Sequence, residues 1–158
     1  MMNIKGVLFD LDGTLLDTSE LIVESFRYTF KQHCNYDISV SEVHDFFGKS
    51  LRLAMETLGK DKADELIDTY REHNAKYHDE KIAIFPEVAE TIKTMYDNGI
   101  KLAVVTSKTK KTALRGLKLF GLESYFSTVI GINECINPKP HPEPVNIALQ
   151  ELKLAPEV

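Results

Sequence analysis

The sequence lacks the features that mark secreted, membrane-spanning and nucleic-acid-coating proteins. Its 158 residues include only two cysteines, too few for a disulfide framework and typical of a reducing compartment. No stretch approaches the ~18 consecutive apolar residues of a membrane span, and the first residues are too short an apolar run for a secretory signal. Acidic residues outnumber basic ones by 24 to 19, which argues against a basic nucleic-acid-binding surface. We therefore expect a cytoplasmic protein with neither a membrane nor a nucleic-acid partner.

What is present is the composition of a folded domain, with 43% hydrophobic and 27% charged residues. Three short apolar runs predict strands buried on both faces of a parallel sheet: Ile4–Phe9, Ile100–Val105 and Ser127–Ile130. Three helical patterns alternate with the last two of these predicted strands. One opens at Phe85-Pro86-Glu87, one covers Thr109–Phe120 and one covers Pro144–Leu152. This alternation implies right-handed βαβ crossovers, so we predict an α/β fold with a Rossmann-like parallel sheet.

The segment 17–83 has a different character, because it contains three or four helical patterns and no convincing strand. Ser39-Val40-Ser41-Glu42 predicts a capping box at the start of one of its helices. A long polar helix is predicted from about Asp61 to Glu80. The segment therefore reads as a helical insertion between the first strand and the rest of the α/β core.

An Asp-Leu-Asp-Gly-Thr segment directly follows the first predicted strand, which we take to be central in the sheet. Asp10 and Asp12 lie two residues apart and so point to one side, at the sheet end where open α/β folds bind ligands. Gly13 permits a tight turn and close approach of an anion, and Thr14 adds a hydroxyl. Two close carboxylates repel unless a cation or a shared proton lies between them, and oxygen ligands favour Mg²⁺ over Zn²⁺. An acidic Asp-Gly turn without a ligand is the alternative.

Two later features would reach the same edge of the sheet. Thr106 and Ser107 follow the second predicted strand and would supply a hydroxyl and backbone N–H groups, or serve only as helix caps. Lys139 follows the third predicted strand between Pro138 and Pro140, which restrict the backbone and give the side chain one direction. A fixed ammonium can neutralise a phosphate and an attacking carboxylate together, whereas a solvated lysine on a rigid surface loop is the alternative.

Other reactive side chains are given no catalytic role. His141 lies between prolines and is interpreted as structural, while Cys34 and Cys135 have no matching His and acid to make a thiol nucleophile. Three lysines near the start of the 109–120 helix are expected to be solvated, namely Lys108, Lys110 and Lys111.

These motifs, in this order, resemble the haloacid dehalogenase (HAD) superfamily of phosphohydrolases. The resemblance rests on Asp10-Leu11-Asp12-Gly13-Thr14, on Thr106 after an apolar strand and on Lys139-Pro140. It covers the whole chain and implies two domains: a HAD core formed by residues 1–16 and 84–158, and a C1-type helical cap formed by residues 17–83.

The resemblance also implies a mechanism. Asp10 would be the nucleophile that accepts the phosphoryl group, and Asp12 the general acid and then the general base. Asp10 and the backbone carbonyl of Asp12 would hold the cofactor, Mg²⁺. Thr106 and Lys139 would hold the phosphoryl oxygens. Asp12 disfavours the dehalogenases themselves, which lack this second acid and the metal. Further phosphate contacts are expected from Gly13, Thr14 and Ser107.

A finer likeness is to the PpaX-type inorganic pyrophosphatases and the related phosphoglycolate phosphatases. It rests on short segments such as Thr18–Ile22 and Lys139–Pro144. In such enzymes a cap loop closes over the site, and the loop 47–50 stands in the corresponding place. Gly48 and Lys49 would then bind the substrate. Lys49 or Arg52 would contact its far end, unless both are solvated residues at a helix start.

The family pattern also has a fourth motif, an acidic pair after a further strand, which completes the Mg²⁺ site. This chain ends at Pro156-Glu157-Val158, where that strand should begin. An apolar first strand also favours neighbours on both sides. We therefore expect the chain to be a truncated part of a longer protein, with the remaining Mg²⁺ ligands beyond Val158.

Three functions are consistent with the sequence. The first is a Mg²⁺-dependent phosphatase acting on a small phosphorylated substrate, either pyrophosphate or phosphoglycolate. The second is a phosphoglucomutase-like phosphotransferase, which returns the phosphoryl group to its substrate. The third is a non-catalytic phosphate-binding fragment. The sequence indicates no oligomeric state.

Overall fold

A computed structural model describes residues 4–155 of the chain. The strands are β1 (Gly6–Phe9), β2 (Leu16–Asp17), β3 (Ala83–Ile84), β4 (Lys101–Val105) and β5 (Thr128–Ile130). The helices are α1 (Ser19–Cys34), α2 (Val40–His44), α3 (Leu51–Gly59), α4 (Ala63–Lys81), α5 (Val88–Asp97), α6 (Lys110–Leu119) and α7 (Glu143–Leu152). Short 3₁₀ turns cover Lys60–Lys62, Glu123–Tyr125 and Ile132–Glu134.

The chain divides into two compact units. One, here called the core unit, consists of the residues up to Asp17 together with those from Ile84 onward. The other, the helical unit, is Thr18–Ala83.

The core unit contains a three-stranded parallel sheet in the order β1-β4-β5. Its strands are in register with Phe9 opposite Val104 and Val105 opposite Ile130. The predicted α/β class with a parallel sheet is confirmed, and so is the order helix, strand, helix, strand, helix after residue 84. The prediction that the first strand is central is wrong for the described residues, where β4 is central and β1 lies at the edge and is only half-buried.

Apolar side chains of the sheet and of the last helix make a hydrophobic cluster in the core unit. Ala148 and Leu152 of α7 pack against buried residues of β4 and β5, namely Ala103, Val105 and Ile130. This spacing of four residues places both α7 side chains on one helix face. The packing anchors α7 to the strands whose ends carry the candidate site.

Two details of the secondary structure were not predicted. A second sheet pairs β2 with β3, and strands of two residues are too short to show any periodicity. The helix expected to open at Phe85 begins at Val88, because Glu87 before it has a left-handed backbone with φ of 64°. Pro86 therefore precedes that helix and does not lie in its first turn.

The helical unit contains α1, α2, α3 and α4, in agreement with the three or four predicted patterns. Its core is apolar and partly aromatic, with the Phe26 and Tyr70 rings 5.2 Å apart, edge to face. The buried members of this cluster are Phe26, Phe30, Ile38, Val43, Ala54, Met55, Ala63, Leu66, Ile67 and Tyr70.

The capping box predicted at the start of α2 is confirmed. The Ser39 hydroxyl accepts from the Glu42 N–H at 3.2 Å, and the Glu42 carboxylate accepts from the Ser39 N–H at 2.9 Å. The Tyr36 hydroxyl also donates to this carboxylate. The hydrogen bonds from Ser39 and then Tyr36 lower the pKa of Glu42 to about 2.

We expect Glu42→Gln to lower the midpoint of thermal unfolding by on the order of 2–4 °C at neutral pH. A carboxyl with a lowered pKa stabilises the fold above its ordinary pKa, and this contribution is lost as pH falls through the folded value. The difference between wild type and variant should therefore persist at pH 5 and disappear as pH approaches 2. Circular dichroism melting across pH measures this, and a difference that does not change with pH would contradict it.

Among residues 4–155, no helix combines the length and apolar character needed to cross a bilayer.

Candidate active site

The candidate site lies where the parallel strands of the core unit end. Asp10 follows β1, Thr106 follows β4 and Gly131 follows β5. Because the three strands run parallel and in register, these residues meet at one edge of the sheet. This is the edge at which open α/β sheets bind ligands.

Lys139 reaches this edge from a loop 129 residues further along the chain than Asp10. Its Nζ donates to Asp10 Oδ1 at 2.9 Å and to the carbonyl of Val105 at 3.1 Å. The Leu11 N–H donates to the same Asp10 oxygen at 2.8 Å. The Lys139 side chain is 26% exposed, so the ammonium contacts the site and is not a freely solvated group on a surface loop.

Lys108 contradicts the expectation that it is a solvated residue at a helix start. Its Nζ is buried and lies 2.8 Å from Asp12 Oδ1. The contact is an ion pair, although its angles do not meet those of a hydrogen bond. The Lys108 backbone is held on both sides, since its carbonyl accepts from the Ile132 N–H at 2.8 Å and its N–H donates to Thr106 Oγ1 at 3.2 Å.

Sequence reasoning missed Lys108 because it grouped this lysine with Lys110 and Lys111 as solvated residues near a helix start. The helix begins two residues later, at Lys110, and Thr109 is its N-cap. Lys108 therefore lies in the loop between β4 and α6, on the ligand-binding edge of the sheet. A charged residue three positions beyond the end of β4 was the available signal.

The two carboxylates are each paired with a different ammonium, Asp10 with Lys139 and Asp12 with Lys108. Their mutual repulsion is thus offset by cations that the chain itself supplies. The side chains of Asp10 and Asp12 are 38% and 22% exposed, so these pairs are screened from water more than surface pairs are.

In the turn after Asp12, two backbone N–H groups donate to nearby backbone carbonyls. The Gly13 N–H donates to the Leu16 carbonyl at 2.9 Å, and the Thr14 N–H donates to the Leu11 carbonyl at 3.3 Å. Gly13 has a φ of 74°, which explains the need for glycine, and a β-carbon there would meet nothing within 4 Å. Thr14 is exposed, so its hydroxyl is accessible from the solvent.

Thr106 is buried at the end of β4, with Ser107 half-buried beside it. The expectation that Thr106 offers its backbone N–H to an anion is wrong, because that N–H donates to the Ile130 carbonyl at 2.9 Å and extends the sheet. The helix-cap alternative is also wrong for both residues, since the N-cap of α6 is Thr109.

Gly48, Lys49 and Arg52 belong to the helical unit. Gly48 adopts a φ of 78°, and the Lys49 ammonium lies 5.1 Å from the centre of the Phe46 ring. Arg52 forms ion pairs with two carboxylates of its own unit, Glu56 at 3.2 Å and Asp64 at 2.9 Å. The Arg52 guanidinium is therefore engaged in the helical unit itself.

The side chains that were given no catalytic role are His141, Cys34 and Cys135. His141 Nδ1 accepts from the Glu143 N–H at 3.1 Å, consistent with a structural histidine. Cys34 and Cys135 are free thiols. Burial raises the pKa of the Cys135 thiol, which disfavours the reactive thiolate.

The donors at the site are hard oxygens of the type that Mg²⁺ prefers. Within residues 4–155 there is no cluster of three or more His, Cys, Asp or Glu side chains that could enclose a metal. The Asp10 carboxylate and the backbone carbonyl of Asp12 nevertheless suit Mg²⁺, which commonly binds through one or two carboxylates, water and substrate phosphate. Asp10 and Asp12 therefore fit such an ion.

A comparison with known families identifies the family of this chain. The family described as haloacid dehalogenase-like hydrolase matches residues 7–158. The chain belongs to that family. The resemblance drawn from the motifs is thereby confirmed, and so is the prediction of an enzyme of the HAD phosphatase type.

Individual relatives agree with this assignment. A protein named putative pyrophosphatase PpaX, from Caldanaerobacter subterraneus subsp. tengcongensis, is 46% identical over 152 residues, covering 96% of this chain and 69% of that protein. A crystal structure of a putative haloacid dehalogenase-like hydrolase from Bacteroides fragilis is 26% identical, with a TM-score of 0.91 over 98% of this chain and 76% of that one. A putative β-phosphoglucomutase from Thermotoga maritima is 28% identical, with a TM-score of 0.72 over 98% and 73% of the two chains.

Proposed function

We propose that this HAD enzyme hydrolyses a small phosphate compound through a phosphoryl group carried on Asp10, with Mg²⁺ as cofactor. The observation that carries the proposal is the pairing of the Asp10 carboxylate with the Lys139 ammonium at 2.9 Å, at the ligand-binding edge of a parallel sheet. A carboxylate nucleophile and a fixed cation beside it are the two groups that phosphoryl transfer to an aspartate requires.

In the first step, Asp10 Oδ2 attacks phosphorus and the bond from phosphorus to the leaving oxygen breaks. Lys139 and the Leu11 N–H both donate to Oδ1, which holds the carboxylate in one orientation. Asp12 gives a proton to the leaving oxygen. In the second step Asp12 takes a proton from water, whose oxygen attacks phosphorus, and the bond to Oδ2 breaks to release phosphate and restore Asp10.

The remaining groups orient these reactants. The Lys139 ammonium neutralises oxygens of the transferring group as well as Asp10. Lys108 holds the Asp12 carboxylate through the 2.8 Å ion pair. In this proposal the Thr106 hydroxyl, with Ser107, Gly13 and Thr14, also contacts the transferring phosphoryl group. Mg²⁺, held by Asp10 and the Asp12 carbonyl, would offset phosphate charge when bound.

Pyrophosphate is the substrate we favour, with phosphoglycolate as the second choice. The name of the relative that is 46% identical supports the first. In this proposal residues 17–83 act as the cap, and Gly48 and Lys49 of the loop 47–50 contact the substrate.

A mutase is the second candidate function, and the likeness to the 28%-identical putative β-phosphoglucomutase is the observation that favours it. Such an enzyme would return the phosphoryl group from Asp10 to a sugar phosphate and not to water. The identity of the product therefore separates the two candidates.

A substrate screen of the purified full-length protein tests the proposal. Pyrophosphate, phosphoglycolate and glucose 1-phosphate are incubated with and without Mg²⁺, and phosphate release and sugar-phosphate isomers are measured. We expect Mg²⁺-dependent phosphate release, fastest with pyrophosphate. Isomerised sugar phosphate without net phosphate release would favour the mutase. Binding of inorganic phosphate without turnover of any substrate would favour the non-catalytic phosphate-binding fragment. The absence of both turnover and phosphate binding would contradict the proposal and both alternatives.

Lys108→Met is expected to slow hydrolysis of phosphoglycolate about tenfold, because the proton donor Asp12 loses the cation that holds it. Hydrolysis of p-nitrophenyl phosphate should fall much less, since its leaving group needs no proton. Steady-state kinetics on both substrates measure this, with Lys111→Met on the exposed face of α6 as the matched control. Equal losses on the two substrates would show that Lys108 does not act through Asp12.

A further inference from the structure

The loop that carries Lys139 is closed by one carboxylate. Glu143, the first residue of α7, accepts from the N–H of Ile136 at 2.6 Å and from the N–H of Asn137 at 3.1 Å. It also accepts from the Asn137 side-chain amide at 2.7 Å. Three donors from the beginning of the loop thus converge on a carboxylate at its end, and Lys139 lies between them.

Further contacts restrict the same loop. The His141 N–H donates to the Pro138 carbonyl at 3.0 Å, and His141 Nδ1 accepts from the Glu143 N–H at 3.1 Å. Prolines limit the backbone dihedrals on both sides of Lys139. The backbone around Lys139 is therefore tied to the start of α7.

The start of α7 is in turn fixed to the sheet. Ala148 and Leu152 of this helix pack against Ala103, Val105 and Ile130. A continuous path of contacts consequently runs from the sheet through α7 and the Glu143 carboxylate to the loop. It ends at the Lys139 ammonium, which returns to the sheet edge at the Val105 carbonyl and Asp10.

We propose that Glu143 is a positioning residue for the reaction, which acts by holding Lys139 against Asp10 and the transferring phosphate. The inference rests on the proposed function, because it assigns Glu143 a part in the same phosphate site. Glu143 has 23% of its side chain exposed and directs its oxygens to the loop, so it touches the chemistry only through Lys139.

The charge of Glu143 suits this task. Hydrogen bonds from Ile136 and then Asn137 lower its pKa, so the carboxylate remains ionised at neutral and mildly acidic pH. An ionised carboxylate accepts several hydrogen bonds at once, and charge-assisted bonds are stronger than neutral ones. A glutamine would place an N–H₂ group against one of the three donors.

A purely structural role is the competing explanation, since an acidic residue in the first turn also stabilises a helix. The two explanations differ in what happens when Lys139 is already absent. A residue that acts through Lys139 has no further effect on phosphate binding in that background, whereas an independent structural effect adds to the loss.

The experiment is a double-mutant cycle on the affinity for inorganic phosphate, measured by titration calorimetry with Mg²⁺ present. The four proteins are wild type, Glu143→Gln, Lys139→Met and the double variant. We expect Glu143→Gln to weaken phosphate binding about tenfold in the wild-type background and by less than about twofold in the Lys139→Met background. The kcat for the preferred substrate should follow the same pattern.

Glu42→Gln is the matched control. Glu42 also accepts three hydrogen bonds that close a turn before a helix, but it does so in the helical unit. It should lower thermal stability without changing phosphate affinity. If Glu143→Gln fails to fold, Asn137→Ala removes one donor to Glu143 and leaves α7 intact, and it should weaken binding in the same direction by about threefold.

The outcomes separate this inference from the proposed function. If wild type neither binds phosphate nor turns over any substrate, the proposed function fails. If Lys139→Met loses affinity while Glu143→Gln keeps it, or if the two losses add in the double variant, the positioning role of Glu143 is overturned and the proposed function stands.

Discussion

Replacing Asp10 with asparagine is expected to reduce phosphate release by on the order of 10⁴-fold, because an amide oxygen is a far weaker nucleophile than a carboxylate. The fold should be unaffected. Asparagine has the same shape, and its Oδ1 can still accept from the Leu11 N–H and from Lys139, which contact Asp10 Oδ1 at 2.8 and 2.9 Å. A loss of activity without a loss of stability would therefore report on chemistry.

Phosphate release from pyrophosphate at saturating Mg²⁺ measures this effect, together with a thermal melt of each protein. Asp97→Asn is the matched control, since it makes the same chemical change at an exposed residue that pairs with Lys93. Turnover by Asp10→Asn within tenfold of wild type would show that another group is the nucleophile, whatever the behaviour of the control.

Lys139→Met is expected to lower kcat/KM by about 10²- to 10³-fold. The ammonium lies 2.9 Å from Asp10, and without it the carboxylate would face an anionic substrate with one cation fewer. Both KM and kcat should change, because the same charge is felt by the bound phosphate and by the transition state. Methionine keeps the apolar length of the side chain, so packing of the loop is largely conserved.

Lys139→Arg should recover little of this loss. The ammonium of Lys139 donates in two directions, to Asp10 Oδ1 and to the Val105 carbonyl, whereas a planar guanidinium is larger and has a different donor geometry. Steady-state kinetics with Lys118→Met, an exposed lysine of α6, provide the comparison. Unchanged kcat and KM in Lys139→Met would remove the cation from the mechanism, and with it the part proposed for Glu143.

Most of the sheet, and the positions of Asp10 and Thr106 in the candidate site, could be predicted from the sequence for the same reason. Parallel strands end at one edge, so a strand followed by acids and a strand followed by a hydroxyl residue predict neighbours in space. The predicted runs ending at Phe9, Val105 and Ile130 end at those residues in the structure. Asp10 and Thr106 accordingly reach the same edge without any knowledge of long-range contacts.

The pairing of charges could not be predicted in the same way. Lys108 was grouped with Lys110 and Lys111 as a solvated lysine, and only the structure shows that its ammonium is buried beside Asp12. Its ion pair with Asp12 joins residues far apart in the chain, and local periodicity carries no information about such contacts. The repulsion between the two acids was recognised from the sequence, but the cations that offset it were not both identified.

The hydrogen-bond partners of the backbone groups could not be predicted from the sequence either. Thr106 was expected to offer an N–H to an anion, yet the ladder between β4 and β5 continues one residue further and uses that N–H. Sequence analysis assigned Glu143 no role in the site, because its hydrogen bonds from Ile136 and Asn137 depend on the path of the loop. The residue types of a loop do not reveal which of its backbone N–H groups point toward other groups of the folded loop.

The residues themselves determined the α/β class, the helical segment after β1 and the family, since periodicity and short motifs are local properties of the chain. Folding alone decided that β1 lies at the edge of the described sheet, that Lys108 rather than solvent faces Asp12, and that Glu143 closes the loop of Lys139. Those outcomes depend on contacts between distant segments, whose geometry is set by packing of the whole unit and is not encoded in any single stretch.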